Sequence, residues 1–200
     1  MTNFNDVILL EAERYIDRYF RDFLPESRCF HNLNHTKGVV DACEMMVSAY
    51  HMSRPESDAL CLAAWFHDTG YCNGRPNHEV DSVMIADTFL DDYVLPMGFR
   101  SVVNKLIEST RTLYGPTTLA EKIIRDADLH HIGSPNYAMF AQLLKQELEW
   151  ADGIKYTNSE WTRNNIRFLE EHRFYTEYAI RLWEAQKQHN LQVLKELICE

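Results

Sequence analysis

The chain has 200 residues, 46% hydrophobic and 25% charged, with 20 basic against 30 acidic side chains and a net charge of −10. That length suits one domain with a sizeable core, and the composition excludes disordered and fibrous classes. An acidic body with no basic cluster repels phosphate backbones at long range, so nucleic acid is not an expected partner.

No apolar run is long enough for a membrane helix, and no membrane partner is expected. The start, MTNFNDVILLEAERY, has no basic region ahead of its short apolar run and does not read as a secretory signal. Cys29, Cys43, Cys61, Cys72 and Cys199 form no CxxC pair and read as free thiols, which predicts a cytoplasmic protein. Gly and Pro are scarce and clustered, at Gly70/Gly74/Pro76, Pro96/Gly98, Gly115/Pro116 and Gly133/Pro135. The segments between them run roughly 10 to 25 residues, the length of helices rather than strands.

The first predicted helix covers 7–23, with Val7, Leu10 and Ile16 beside Tyr15, Tyr19, Phe20 and Phe23 at three- and four-residue steps. Next comes Phe30-His31-Asn-Leu-Asn-His35, ahead of a helix bearing Val39, Val40, Cys43 and Met46, with Asn34 and Thr36 as start signals. His31 and His35 share a side if the stretch is helical, and are otherwise two surface histidines at a helix start.

Ser53 before Pro55 starts a third helix, whose apolar run Leu60-Cys-Leu-Ala-Ala-Trp-Phe predicts a buried, central position. It ends in His67-Asp68, before Thr69 and Gly70. A carboxylate at the C-terminal end of a buried helix is costly, and a cation is its cheapest compensator. Imidazole and carboxylate side by side are good metal ligands, although the dipeptide alone is equally a helix cap.

After the loop 72–77, Asn77 is a good N-cap for a helix over 77–95, with Val80, Val83, Met84, Phe89, Leu90 and Val94 on the apolar side. His78 and Glu79 stand in its first turn, where the helix terminus favours an anion. Either they reach a metal site or they are a surface histidine and a capping glutamate. A further helix is predicted over 99–109. Arg75 and Arg111 are candidate phosphate clamps, because an acidic protein must supply positive charge locally.

In Ile123-Ile-Arg-Asp126-Ala-Asp128-Leu-His130-His131 the two carboxylates point about 200° apart on a helix, so one faces inward and the other does not. His130 and His131 read as packing or supporting residues. Asn158 and Ser159 start a helix before Trp161, 166–197 is amphipathic, and His172 falls in a polar-aromatic turn. Trp150, Trp161, Phe168, Phe174, Tyr178 and Trp183 sit at helical steps and read as core. No alternating strand pattern occurs, which predicts an all-α protein of eight or nine helices.

These motifs in this order resemble the HD-domain superfamily of metal-dependent phosphohydrolases, and most of all its small bacterial members. The phrases that carry the resemblance are Ala63–Tyr71 (AAWFHDTGY), His78-Glu79-Val-Asp-Ser82 and Asp126–Leu129 (DADL). The resemblance implies one HD-like domain over 1–200, with a motif-bearing core at about 28–135 and C-terminal helices over 136–200 packed on it. It implies His35, His67, Asp68 and Asp128 as ligands of a divalent ion (Mn, Fe, Ni, Zn or Mg), with Asp128 preferred to Asp126. The FHNLNH phrase is also similar to the YHNxxH phrase of cyclic-nucleotide phosphodiesterases, with Phe30 in place of Tyr, which implies His31 as general acid.

The implied activity is hydrolysis of a small, nucleotide-like phosphate ester by a metal-activated water. The catalytic set is then His31, Asp68 and Glu79, and the substrate-binding set Arg75, His78 and Arg111. Two other readings stay open, a di-iron oxygenase of the same fold and a non-catalytic metal- or nucleotide-binding module, as does a homodimer.

Overall fold

A computed structural model describes residues 4–74 and 76–199. Among these the chain is 72% helical with no strand, as the apolar periodicity predicts. The helices are α1 (Phe4–Phe23), α2 (Leu33–Ala49), α3 (Arg54–Phe66), α4 (His78–Leu90), α5 (Phe99–Glu108), α6 (Leu119–Asp128), α7 (Tyr137–Trp150) and α8 (Asn158–Glu171). A C-terminal helix over 177–199 makes nine among the described residues. Short 3-10 turns at Thr69–Cys72 and His130–Gly133 follow α3 and α6.

The centre of the molecule is α3, in which every residue from Ser57 to Phe66 is buried. It packs against α1, α2 and α5, while α2 in turn packs on α6. Burying one large aliphatic or aromatic side chain contributes about 1.5–3 kcal/mol, and α3 buries four, Leu60, Leu62, Trp65 and Phe66. The α1 face that meets α3 is Ile8, Ala12, Ile16 and Phe20, one residue every turn. Val7 and Leu10, predicted to face the core, are exposed, because the four-residue ridge starting at Ile8 wins the contact. A similar correction applies to α4, which ends at Leu90 and not at 95: Ser82, Ile85, Ala86, Phe89 and Leu90 are buried, whereas Val80 and Met84 face solvent, as does Val94 in the segment beyond the helix.

Local signals fix the helix starts. Asn32, not Asn34 or Thr36, caps α2, accepting from the backbone N–H of Asn34 and His35. Thr118 with Glu121, and Thr157 with Glu160, form reciprocal capping boxes at α6 and α8. Asn77 does precede α4, but in the left-handed backbone region and without a side-chain cap.

The C-terminal part is held by fewer contacts. The last helix packs on α8 and on the His130–Gly133 turn. It passes through a π-helical segment, Ile180–Glu184, that seats Trp183 on Gly133. A Cβ at position 133 would lie 2.4 Å from Trp183 Cβ, so only glycine admits this approach. Phe174 is buried as expected; Trp161, Tyr178 and Trp183 are half-buried; Trp150 and Phe168 are exposed, since they lie on the outer faces of α7 and α8.

Candidate metal centre

Four side chains from four places in the fold meet at one point. His35 stands in the first turn of α2, His67 caps the end of α3, Asp68 opens the following 3-10 turn, and Asp128 ends α6. One ligand atom from each lies within 4.8 Å of all the others. His35 Nε2 is 3.3 Å from Asp68 Oδ2 and 3.2 Å from Asp128 Oδ1, and His67 Nε2 is 3.1 Å and 3.5 Å from the same two oxygens.

The orientation of His67 is set by the end of α3. Its Nδ1–H donates to the Ala64 carbonyl at 2.8 Å, so in the neutral ring Nε2 carries a lone pair aimed inward. His35 Nε2, His67 Nε2 and Asp68 Oδ2 are buried and have no hydrogen-bond partner. Buried polar atoms are rarely left so, and two imidazole nitrogens with two carboxylate oxygens are a donor set that suits a divalent cation. The titration of the group points the same way. Burial disfavours the charged imidazole of His35, but Asp128 and Asp68 outweigh it and raise the histidine above its ordinary range. Asp68 is held well below the usual carboxylate range: burial opposes this, and His67 and His35 prevail. The cluster demands positive charge at its centre.

The turn that presents His67 and Asp68 is clamped to α4 by Ser82, the last residue of the His78–Ser82 phrase. Ser82 Oγ donates to the His67 carbonyl at 2.7 Å and accepts from the Gly70 amide at 2.9 Å. A Cβ on Gly70 would lie 1.9 Å from the His78 carbonyl oxygen, which is why this turn needs glycine. Asp126, the alternative ligand, points away. Its carboxylate accepts from Tyr175 N, Thr176 N and Thr176 Oγ1 at 2.7–2.8 Å and ties α6 to the segment before the last helix.

His31 lies ahead of α2, not on it, and its ring centroid is 5.8 Å from that of His35. Its Nδ1 is 2.5 Å from Glu147 Oε1, and Glu147 Oε2 accepts from the Phe30 and His31 amides at 2.8 and 2.9 Å. Glu147, on α7, is buried and also paired with Arg28, which in turn binds Asp152. Burial would raise the Glu147 carboxyl, but the hydrogen bond from His31 outweighs it and the carboxyl is lowered. The sequence reading missed Glu147, Arg28 and the role of Tyr71. Tyr71 is sandwiched between rings, 4.0 Å from His31 and 4.1 Å from His78.

From Asp68 a line of polar groups runs outward. His78 Nε2 is 3.7 Å from Asp68 Oδ1, His78 Nδ1 is 3.7 Å from Glu79 Oε2, and Arg111 Nε is 4.0 Å from that same oxygen. Arg111 is largely exposed at the outer end. Arg75 lies outside the described residues. His130 and His131 donate from Nδ1 to the Ala127 and Asp128 carbonyls, and burial, then the nearby His35, pushes His131 down to about 3, so it packs as a neutral ring. His172 is elsewhere, between Phe168 and Phe174, with its carbonyl bound by Lys187.

A family model described as HD domain matches residues 32–133. No curated protein and no solved structure matches the chain.

Proposed function

The chain belongs to the HD domain family, and from that premise we propose that it is a metal-dependent phosphoric ester hydrolase acting on a small, nucleotide-like phosphate ester. One observation carries the reading: three buried ligand atoms without hydrogen-bond partners converge with Asp128 on a single point. His35, His67, Asp68 and Asp128 would hold a divalent ion. When bound, such an ion lowers the pKa of water and polarises a phosphoryl oxygen, and it offsets the charge of the acidic body toward an anionic substrate.

The protein's own groups supply the rest. His31 gives its Nδ1–H to Glu147, which leaves Nε2 as the atom that can donate a proton to the leaving oxygen. Glu147 holds that ring in one orientation, as a buried carboxylate does for a catalytic imidazole. Tyr71 fills the space between His31 and His78 and keeps the rings apart. His78 faces the outer oxygen of Asp68 and is placed to meet a phosphoryl oxygen. Glu79 sits between His78 and Arg111, so its part is to aim the guanidinium, and Arg111 meets the phosphate. The free thiols Cys29, Cys43, Cys61 and Cys72 suit a reducing cytoplasm. Among the described residues no helix is long and apolar enough to cross a membrane.

The test is elemental analysis of the purified protein, with aryl phosphate and aryl phosphodiester hydrolysis on the same sample. The reading expects about one divalent ion per chain and turnover. His31→Ala is expected to keep the metal and to slow hydrolysis by about 10²–10⁴-fold for poor leaving groups, less for good ones. Equal slowing for all leaving groups contradicts the general-acid role. Two irons per chain without hydrolysis contradicts the hydrolase.

A further inference from the structure

Arg111 and Asp128 belong to different elements, yet the site needs them at a fixed separation. Arg111 follows the C-terminal end of α5, and Asp128 is the last residue of α6. One side chain joins the two. Arg125, on α6 one turn before Asp128, donates through Nη1 to the Thr110 carbonyl and to the Arg111 carbonyl, the latter at 2.9 Å. Two hydrogen bonds from a rigid, permanently charged fork hold a backbone segment better than a flexible ammonium would. Arg125 is half-buried and this nitrogen is occupied by carbonyls, so its place is behind Arg111. The same helix is fixed on its other side by Asp126 bound to residues 175 and 176. Thus three of four consecutive residues serve three ends: Arg125 the Arg111 backbone, Asp126 the C-terminal segment, Asp128 the metal centre.

We propose that Arg125 is a positioning residue for phosphate binding: it anchors the backbone at 110–111 to α6, and so sets where the Arg111 guanidinium stands relative to Asp128. The proposal rests on the reading of Arg111 as the phosphate-binding residue. The bonds also tie the turn after α5 to α6, and the experiment must separate positioning of Arg111 from a purely structural tie.

The full-length, metal-loaded protein is titrated with inorganic phosphate by calorimetry, with metal content and thermal midpoint measured beside it. Arg111→Ala is expected to weaken phosphate binding roughly ten- to hundredfold. Arg125→Gln is expected to weaken it by about tenfold with metal content unchanged, and Arg125→Lys to restore part of the loss. The double variant Arg111→Ala/Arg125→Gln is expected to bind no more weakly than Arg111→Ala alone, because Arg125 acts through Arg111. Multiplying losses in the double variant, or Arg125→Gln that lowers only the thermal midpoint, overturns the proposal. If Arg125→Gln does not fold, Arg125→Lys alone and with Arg111→Ala carries the same comparison. A wild-type protein that holds metal but binds no phosphate defeats the reading of the site itself, and full affinity in Arg111→Ala defeats the premise on Arg111.

Discussion

Helix α3 and the C-terminal helix solve opposite problems. In α3 ten consecutive residues, Ser57–Phe66, are buried, and the helix delivers His67 and Asp68 to buried positions at its end. In the helix over 177–199, Ala179, Lys187, Asn190 and Leu191 are buried, while Ile180, Leu182, Val193 and Leu197 stay exposed. The first is held by area. The second is held by point contacts: Asn190 Nδ2 donates to the Ile132 and Ser134 carbonyls at 2.9 Å, Trp183 rests on Gly133, and Asp126 binds residues 175 and 176. Orphaned ligand atoms can persist only in the first kind of environment, where many packing contacts offset their cost.

The contrast is sharpest in paired substitutions. Phe66→Ala removes a fully buried ring that packs on Tyr15 and Phe89, and is expected to cost about 3–5 kcal/mol in denaturant unfolding. Trp150→Ala, at an exposed ring, is expected to stay within about 0.5 kcal/mol. A large loss at Trp150 would show that the exposed face of α7 is covered by something in solution.

Asp126 joins the two regions, so its substitution reports on the joint. Asp126→Asn turns an amide NH₂ toward backbone N–H donors and is expected to cost about 2 kcal/mol. Protection of residues 175–199 against amide exchange should fall more than that of α3. Equal loss in both regions would mean they unfold as one unit.

A smaller effect than that of Asp126 concerns His172. Burial, then Lys187, pushes its imidazole down to about 4. The unfolded chain therefore binds the extra proton first, and stability falls as pH drops from about 6.5 toward 4. After discounting for its partial exposure the loss is about 1 kcal/mol. His172→Gln should flatten that part of the pH–stability curve, and an unchanged slope assigns the acid sensitivity to other groups.

Much of this was legible because it was local. The apolar run Leu60–Phe66 announced a buried helix, and the His67-Asp68 pair at its end a compensated carboxylate. The choice of Asp128 came from the family resemblance, and the structure brings Asp128 into the cluster while turning Asp126 toward Thr176. Glu147 was not legible: it lies 116 residues from His31, and a glutamate in Lys-Gln-Glu-Leu-Glu-Trp looks like any solvated helix face. Val80 and Met84 were misplaced for a related reason. The start of α4 is held to the turn before it by the close approach of His78 to Gly70 and by Ser82, and in that setting Ile85 and Phe89 meet the core.

The central claim is that His35, His67, Asp68 and Asp128 hold one divalent ion, and elemental analysis of three proteins tests it most directly. Wild type is expected to carry about one ion per chain, Asp128→Asn close to none, and Asp126→Asn as much as wild type despite its lower stability. Full metal in Asp128→Asn, or none in wild type after reconstitution, would contradict the account.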